Sequence, residues 1–245
     1  MLDQHFMIDR DVLVRIVGIA DLNKTDTVLE IGGGQGALTE YLVKIANIVY
    51  VVEKDITLIP ILQEKFGHRK NAVFIFNDVM DVKLPKFDKC VSNLPYTICE
   101  PLMWMFTRHE FERLVFVVPK RFVDLLTGER NSRLKLFMDS FYNLEVFDDI
   151  SPESFEPPPK VMSTIIRLTP KKEGNMFLRE FFSQYDKKTK NALRDMYIKT
   201  GLNKREALDK VNLMMIRPMI LGKKITNLSL AEIEAVVRAF SESKA

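Results

Sequence analysis

The stretch TVLEIGGGQGALTEYLVKIA, residues 27–46, decides the fold. Its first five residues form a short apolar run typical of a buried strand, and residues 37–46 have the apolar spacing of a helix. Between the two lie the glycines Gly32, Gly33, Gly34 and Gly36. Glycines at a strand-to-helix turn let a ligand approach the backbone, and the helix offers free N–H groups at its start. The stretch therefore predicts a strand, a turn that binds a small ligand, and a helix.

Strands and helices alternate along the first 170 residues. Apolar runs predict further strands at 48–52, 72–76, 87–92, 113–118, 144–148 and 164–168. Helical spacing predicts helices at 9–20, 58–66, 100–106, 122–126 and 134–141. This alternation is typical of the α/β class, with a twisted, mainly parallel sheet covered by helices on both faces.

From residue 171 the pattern becomes purely helical and basic. Residues 171–245 contain 16 Lys and Arg against 9 Asp and Glu, whereas residues 1–170 contain 20 against 24. We expect a catalytic domain over 1–170 and a docked helical domain over 171–245 that meets phosphate backbones. A solvated basic helix face is the alternative. The cations expected to face a phosphate backbone are Lys187, Lys188, Lys190 and Arg194, together with Lys120, Arg121, Arg130 and Arg133.

Composition argues against several other classes. With 47% hydrophobic residues the chain of 245 residues can bury a real core. No apolar run approaches the roughly 20 residues of a membrane span, and an N-terminus with several aspartates does not resemble a signal peptide. We expect a cytoplasmic protein without a membrane partner. Cys90 and Cys99 lack metal-ligand spacing, so no metal is expected, and Cys90 is read as a small buried strand residue.

Two acidic residues stand where predicted strands end. Glu53 follows strand 48–52, 21 positions after Gly32, and suits a ribose with two free hydroxyls. Asp78 follows strand 72–76 and has the chemistry to accept a hydrogen bond from an adenine amino group. The alternatives are a surface Glu53 that begins the next helix with Asp55 as its cap, and an ordinary turn aspartate at position 78.

Asn93-Leu94-Pro95-Tyr96 follows the strand predicted at 87–92. Because Pro95 pushes Leu94 into an extended conformation, we expect the Leu94 carbonyl to face outward. The Asn93 amide oxygen and that carbonyl can each accept one N–H of an exocyclic amine, while Tyr96 stacks on the ring. The alternative is a strand end closed by ordinary turn residues.

Two short segments lie outside the predicted helices and strands. Residues 3–9 are too short to be a strand with partners of its own, and we expect them to pack across a site. Residues 155–160, Phe-Glu-Pro-Pro-Pro-Lys, form a stiff segment expected at the surface, either as rigid linkage or to hold Phe155 in place.

S-adenosylmethionine (SAM) explains these features together. The glycine turn suits its methionine portion, Glu53 and Asp78 suit its adenosine, and its sulfonium would point toward Asn93, all at the carboxyl edge of one sheet. The turn also satisfies the loose dinucleotide fingerprint, which is a weak signal by itself. A dehydrogenase would need a second region with a catalytic His or Lys, and the basic helical tail does not look like one.

Several segments in this order resemble the ribosomal RNA adenine dimethyltransferase family over nearly the whole chain. They are Gln4-His5-Phe6, the stretch 30–39, Glu53, Asn77-Asp78, Asn93-Leu94-Pro95-Tyr96 and the stretch 155–161. The resemblance implies a Rossmann-like methyltransferase that uses SAM to dimethylate N6 of two adjacent adenosines in the 3′-terminal hairpin of small-subunit rRNA, with a role in ribosome biogenesis.

The resemblance also implies roles for individual residues. Those expected to bind the cofactor are Gln4, His5, Met7, Gly32, Gly34, Gly36, Glu53, Asp78 and Asn93. Those expected to act in catalysis are Asn93, Leu94, Pro95, Tyr96 and Phe155, with Phe155 covering the adenine face opposite Tyr96. The expected partner is small-subunit rRNA or a pre-small-subunit ribosomal particle, and the enzyme is expected to be a monomer.

Some positions depart from the family pattern, which puts efficiency and exact substrate in question before chemistry. They are Asp3, Gly33, Asn77, Thr97, Cys99, Glu100 and Met162. Three alternatives remain open: a methylase of large-subunit rRNA, as in the erythromycin-resistance methylases, or of DNA adenine; a catalytically silent ribosome-assembly or transcription factor; and a nicotinamide enzyme.

Overall fold

The computed structural model describes residues 4–128, 132–172 and 175–243. The chain divides into two compact units. The first unit comprises Met1–Asp124 and Tyr142–Pro170, and the second comprises Leu125–Phe141 and Lys171–Ala245. The expected boundary at 170 coincides with the end of the first unit, but Leu125–Phe141 were expected in the first domain and group with the second. The ring of Phe137 packs edge-on against that of Phe182, with centroids 5.7 Å apart, which explains the grouping.

A seven-stranded sheet forms the centre of the first unit. Its order is β4-β3-β2-β5-β6-β9-β7. The first five strands pair in parallel and β9 pairs antiparallel with both β6 and β7, so β9 runs opposite to the other strands of this mainly parallel sheet, as expected. The strands are β2 (Thr27–Ile31), β3 (Ile48–Glu53), β4 (Ala72–Phe76), β5 (Lys89–Asn93), β6 (Arg113–Pro119), β7 (Tyr142–Ile150) and β9 (Ser163–Pro170).

Helices cover both faces of this sheet. Asp9 starts α1, because its carboxylate accepts hydrogen bonds from the backbone N–H groups of Asp11 and Val12. The buried side of α1 carries Val12, Leu13, Ile16, Val17 and Ala20, which are the apolar positions of the predicted helix. The helices are α1 (Arg10–Ala20), α2 (Ala37–Ile45), α3 (Ile59–Phe66), α4 (Cys99–Phe106) and α5 (Lys120–Thr127).

The N-terminal segment corrects a prediction. Phe6–Met7 (β1) pair antiparallel with Phe155–Glu156 (β8), with Met7 opposite Phe155. The backbone N–H of Ile8 continues the pairing by donating to the Ser154 carbonyl at 2.9 Å. The expectation that this segment has no strand partner was wrong, because its partner lies some 150 positions further along the chain.

A buried ion pair joins β5 to the turn before β2 at the amino edge of the sheet. The Lys89 Nζ lies 2.8 Å from the Asp26 carboxylate, and the two side chains are only 5% and 4% exposed. Lys89 also donates to the Asp21 carbonyl at 2.7 Å, and Asp26 accepts from the backbone N–H of Asn23 at 2.7 Å. Each buried charge therefore has several partners, as its desolvation requires.

The second unit is all-helical, as predicted for residues 171–245. The short helix α10 was not predicted, because its five residues, which begin at a proline, are too few to show a helical period. Asn203 and Ser229 each begin a helix through a capping box, with Glu206 and Glu232. The helices are α6 (Arg133–Phe141), α7 (Met176–Phe182), α8 (Thr189–Lys199), α9 (Lys204–Leu213), α10 (Pro218–Gly222) and α11 (Leu230–Glu242). None of the helices in the described part of the chain is long and apolar enough to span a membrane.

We expect Lys89→Ala to lower the free energy of unfolding by about 3–5 kcal/mol, because it leaves the buried Asp26 carboxylate without its cation. Urea denaturation followed by circular dichroism measures this. The control is Lys24→Ala, an exposed lysine in the same turn, for which a change within about 0.5 kcal/mol is expected. Equal stability of the two variants would contradict the role given to the pair.

Candidate active site

A cavity of about 640 Å³ opens at the carboxyl edge of the sheet, where β2, β3, β4 and β5 end. The sheet order reverses between β2 and β5, and ligands of such sheets bind at that point. The cavity is lined by nearly every residue that the sequence singled out: Gln4, His5, Met7, Gly32, Gly34, Glu53, Asp78, Asn93, Leu94, Pro95, Tyr96 and Phe155.

Gly36 is the exception among the predicted site residues, because it does not line this cavity. Its φ of +85° favours glycine, and a Cβ there would lie 2.4 Å from Cε2 of Phe66. What the structure shows for Gly36 is therefore close packing of the turn against α3.

The side chain of Ser92 links β2 to β5 at this edge. Ser92 is fully buried, and its Oγ accepts the backbone N–H of Ile31 at 2.8 Å. The backbone pairing of the two strands involves only Val28 with Lys89 and Leu29 with Cys90. A hydroxyl thus replaces a backbone carbonyl where the strands separate, and the glycine turn begins at the next residue. No sequence signal distinguished Ser92 from an ordinary strand serine.

Glu53 connects the strand tip to the glycine turn. Its Oε2 accepts the backbone N–H of Gly34 at 2.8 Å and its Oε1 accepts that of Asp55 at 2.7 Å. Because Glu53 is only 5% exposed, the alternative of a surface glutamate is wrong. The Asp55 cap that accompanied that alternative is confirmed, since Asp55 accepts from the backbone N–H of Thr57. Each Glu53 oxygen retains a lone pair for a ligand hydroxyl.

Glu30, the penultimate residue of β2, is a second carboxyl group at the cavity, and the sequence patterns assign it no role. It lines the cavity yet is only 1% exposed, and its Oε2 accepts the Thr39 hydroxyl at 2.6 Å. Burial raises the pKa of Glu30 from its ordinary 4.5 to about 8, with a smaller contribution from the Glu53 carboxylate. Glu30 is therefore neutral at pH 7. The sequence pattern that could have identified Glu30 is a glutamate within an otherwise apolar predicted strand.

Asp78 presents an ionised carboxylate at the tip of β4. Its Oδ2 accepts from Lys54 Nζ at 2.5 Å and its Oδ1 from the backbone N–H of Met80 at 3.0 Å. These two bonds, the Lys54 bond first, lower the pKa of Asp78. An adenine amino group would therefore share an oxygen with Lys54 or displace it.

The side-chain amide of Asn93 is held in one orientation. Its Nδ2 donates to the His5 carbonyl at 3.1 Å, and its Oδ1 accepts no hydrogen bond from the described residues. The Asn93 carbonyl lies 3.8 Å from the place a Cβ on Gly32 would occupy, so the tetrapeptide adjoins the glycine turn. The Leu94 side chain is only 2% exposed, and its backbone N–H donates to the Val117 carbonyl at 3.1 Å, which holds the main chain in place.

Tyr96 is held in place by a residue of β9, which lies two strands away from β5 in the sheet. Its hydroxyl lies 2.6 Å from Oγ of Ser163, a fully buried residue at the start of β9. The Tyr96 ring lies 6.2 Å from the His5 ring. Phe155 lines the same cavity with only 2% exposure. Ser163 had no sequence signal, because its contact with Tyr96 spans 67 positions.

The cavity fits SAM. Its volume lies within the roughly 300–1,000 Å³ of small-molecule sites. The positive φ of Gly32 and Gly34, +77° and +53°, bends the turn and brings its backbone to the cavity wall. Glu53 has acceptor capacity for a ribose. Among the residues that depart from the family pattern, the described ones that line the cavity are Gly33, Asn77 and Thr97, whereas Asp3 lies outside the described residues.

Comparison with known proteins places the chain in a family. Residues 1–238 match the model of a family described as "Ribosomal RNA adenine dimethylase". A protein of Thermococcus sibiricus named "Probable ribosomal RNA small subunit methyltransferase A" is 34% identical over 245 residues, which cover 96% of this chain and 89% of that protein. The chain belongs to the ribosomal RNA adenine dimethylase family.

Other relatives agree with this membership. A protein of the same name from Methanococcoides burtonii is 37% identical over 204 residues, covering 78% of this chain and 76% of its own. A dimethyladenosine transferase from Plasmodium falciparum shares the fold, with a TM-score of 0.68 at 24% identity and 98% coverage of both chains. The 23S rRNA methyltransferase ErmE does so with a TM-score of 0.65 at 24% identity, covering 98% of this chain and 100% of its own.

The family membership confirms the expected resemblance, the enzyme class and the cofactor. This dimethylase family member is an rRNA adenine dimethyltransferase that uses SAM. The nicotinamide alternative is therefore wrong. The roles of individual residues in the site stay predictions.

Glu53→Ala should weaken SAM binding about 10- to 100-fold, the effect of removing a hydrogen bond to a charged group. Isothermal titration calorimetry measures the dissociation constant. Glu64→Ala, an exposed glutamate on α3, is the matched control and should bind SAM as the wild type does. An unchanged affinity in the Glu53 variant would show that Glu53 does not contact the ribose of SAM.

Glu30→Gln should change how stability depends on pH. The neutral form of Glu30 is favoured in the fold, so the wild type loses stability as pH rises from about 4.5 to about 8. The glutamine variant lacks this titration, and its stability relative to the wild type should rise across that window by a few kcal/mol. Urea denaturation at several pH values measures the difference. A constant difference would mean that Glu30 is ionised in the folded protein.

Proposed function

We propose that the enzyme dimethylates N6 of two adjacent adenosines in the 3′-terminal hairpin of small-subunit rRNA, within a pre-small-subunit particle. The observation that carries this proposal is the orientation of Asn93. Its amide N–H is taken by the His5 carbonyl, so its Oδ1 remains available beside the glycine turn. An acceptor presented in this way suits an exocyclic amine.

The chemical difficulty is that adenine N6 is a poor nucleophile, because its lone pair is shared with the ring. If Asn93 Oδ1 and the Leu94 carbonyl each accept one N–H, the nitrogen is drawn toward tetrahedral geometry and its growing charge is stabilised. Both acceptors are held before the substrate arrives, Asn93 by His5 and Leu94 by Val117. When bound, SAM supplies the electrophilic methyl group.

The aromatic residues position the base. Tyr96, anchored through Ser163, offers a face on which the adenine stacks, and Phe155 covers the opposite face. The adenine must leave its stack to reach this cavity, which costs a few kcal/mol and least in a loop. Gln4, His5, Met7, Gly32, Gly34, Glu53 and Asp78 would hold the cofactor.

The expected RNA-facing cations differ in availability. Lys187 and Arg194 both pair with Asp195, at 2.7 and 2.6 Å, and Lys120 pairs with Asp149 at 2.8 Å. Arg130 lies outside the described residues. Lys188 and Lys190 form no ion pair with the described residues, so the predicted basic segment 187–194 is only partly neutralised within the protein.

The names of the relatives support the small-subunit target over the alternatives. Those 34–37% identical are named small-subunit methyltransferases, whereas the large-subunit enzyme is 24% identical. A large-subunit rRNA target remains the alternative that the test below separates. We further propose that the enzyme acts as a monomer in the cytoplasm.

Asn93→Ala should lower methyl transfer about 10²- to 10³-fold and largely retain SAM binding, because it removes one preorganised acceptor. Mass spectrometry of rRNA after incubation with SAM measures dimethyladenosine, and calorimetry measures SAM affinity. Asn47→Ala, an exposed asparagine at the amino edge of the sheet, is the control. Turnover equal to the wild type would refute the role of Asn93.

The substrate is tested with the wild-type enzyme on small-subunit particles, large-subunit rRNA and duplex DNA. Dimethylation confined to adjacent adenosines of small-subunit rRNA is the expected result. Methylation of another substrate instead, or tight binding of SAM and rRNA without any methylation, would overturn the proposal.

A further inference from the structure

The end of α9, the connection to α10 and the start of α10 expose large apolar side chains. We name residues 213–219 the apolar loop. Leu213 is 79% exposed, Met215 94% and Met219 64%. Clustered exposed apolar side chains mark interaction sites in soluble proteins more often than scattered single ones do. This cluster has no part in the site already described.

The apolar loop is held in place by the residues between its exposed ones. Met214 and Ile216 are only 6% and 7% exposed, and they alternate with Met215 and Arg217, which face solvent. The Met214 N–H donates to the Val211 carbonyl at 3.2 Å, and the Ile216 N–H donates to the Met214 carbonyl at 2.7 Å. The backbone is thus anchored, and Met215 is presented to solvent without the ordering cost of a mobile loop.

Positive charge surrounds the apolar loop. Residues 199–224 contain seven Lys and Arg against two Asp and Glu. Arg217 lies within the apolar loop and Lys210 lies one helical turn before Leu213, so both are close to it in sequence and structure. Neither forms an ion pair within the described part of the chain, and the same holds for Lys204, Arg205 and Lys224. These cations are exposed, unlike Lys187 and Arg194, which share Asp195.

Unpaired cations beside exposed methionines favour a polyanion with apolar faces. RNA offers phosphates for the cations and base faces for the apolar groups, and apolar side chains such as Leu and Met wedge against base steps in nucleic acids. Thioether sulfur also makes favourable contacts with aromatic rings. Protein–protein interfaces are enriched in Met and Arg and depleted in Lys, so the choice of RNA over a protein partner rests on the unpaired cations.

We propose that the apolar loop is an rRNA contact. Met215, Leu213 and Met219 pack against exposed bases of folded rRNA, while Lys210 and Arg217 neutralise adjacent phosphates. This inference rests on the proposed function, since it assigns a contact for the same substrate, and it adds Lys210 and Arg217 to the cations of the segment 187–194.

Two variants separate the apolar and the charged contributions. The first is Leu213→Ser/Met215→Ser/Met219→Ser, and the second is Lys210→Gln/Arg217→Gln. The matched control is Met176→Ser, an 84% exposed methionine at the start of α7. Affinity for protein-free small-subunit rRNA is measured over a series of salt concentrations, with SAM affinity and thermal unfolding confirming that each variant is folded.

The apolar variant should bind rRNA about tenfold more weakly, with an unchanged salt slope. The charge variant should also bind more weakly, and its slope of log affinity against log salt should fall by about 0.7–0.9 for each cation removed. The control should match the wild type, and all variants should bind SAM normally.

Wild-type affinity of the apolar variant for protein-free rRNA would overturn the inference. So would a loss seen only with protein-containing particles, which would indicate a protein partner, or only with anionic lipid vesicles. If the wild type methylates small-subunit rRNA while the apolar variant binds it normally, only this inference fails. If the wild type binds rRNA through the apolar loop but methylates nothing, only the proposed function fails.

Discussion

The separation of β2 from β5 is the constraint on which the site depends. The two strands pair through Val28 and Leu29, but the backbone N–H of Ile31 goes to the buried Ser92 hydroxyl instead of a carbonyl. Since the sheet order also reverses at this point, the glycine turn and the tetrapeptide 93–96 adjoin each other at the edge of the cavity. The Ser92 hydroxyl thus satisfies a buried N–H at the point where the backbone pairing of β2 with β5 has ended.

The three carboxyl groups at this edge differ in protonation state and in hydrogen bonding. Glu30 is neutral at pH 7 because burial raises its pKa to about 8. Asp78 is ionised because Lys54 lowers its pKa. Each carboxylate oxygen of Glu53 accepts one backbone N–H, one from Gly34 in the glycine turn and the other from Asp55. At the cavity, Glu53 is therefore a positioned hydrogen-bond acceptor and Asp78 an anion. Because Glu30 is neutral, the three carboxyl groups do not place three negative charges around one ligand.

The second unit combines an ordinary helical core with an unusual surface. Its helices are stabilised by capping boxes at Asn203 and Ser229 and by a core that includes Phe181, Tyr197 and Phe240. The apolar loop, by contrast, keeps Met215 in water at a cost in hydrophobic free energy. A buried scaffold that holds exposed apolar groups beside unpaired cations is the arrangement expected of a nucleic-acid contact.

The sequence by itself determined the strand–turn–helix order, the sheet class, the all-helical tail and which key residues gather at the cavity. These follow from local patterns, because apolar spacing, glycine conformation and the position of a residue at a strand end are properties of a few neighbouring residues. Tertiary structure decided the pairing of β1 with β8, the grouping of residues 125–141, the anchoring of Tyr96 by Ser163 and the packing role of Gly36. Each of these depends on a contact between residues far apart in the chain, whose partner no local pattern identifies.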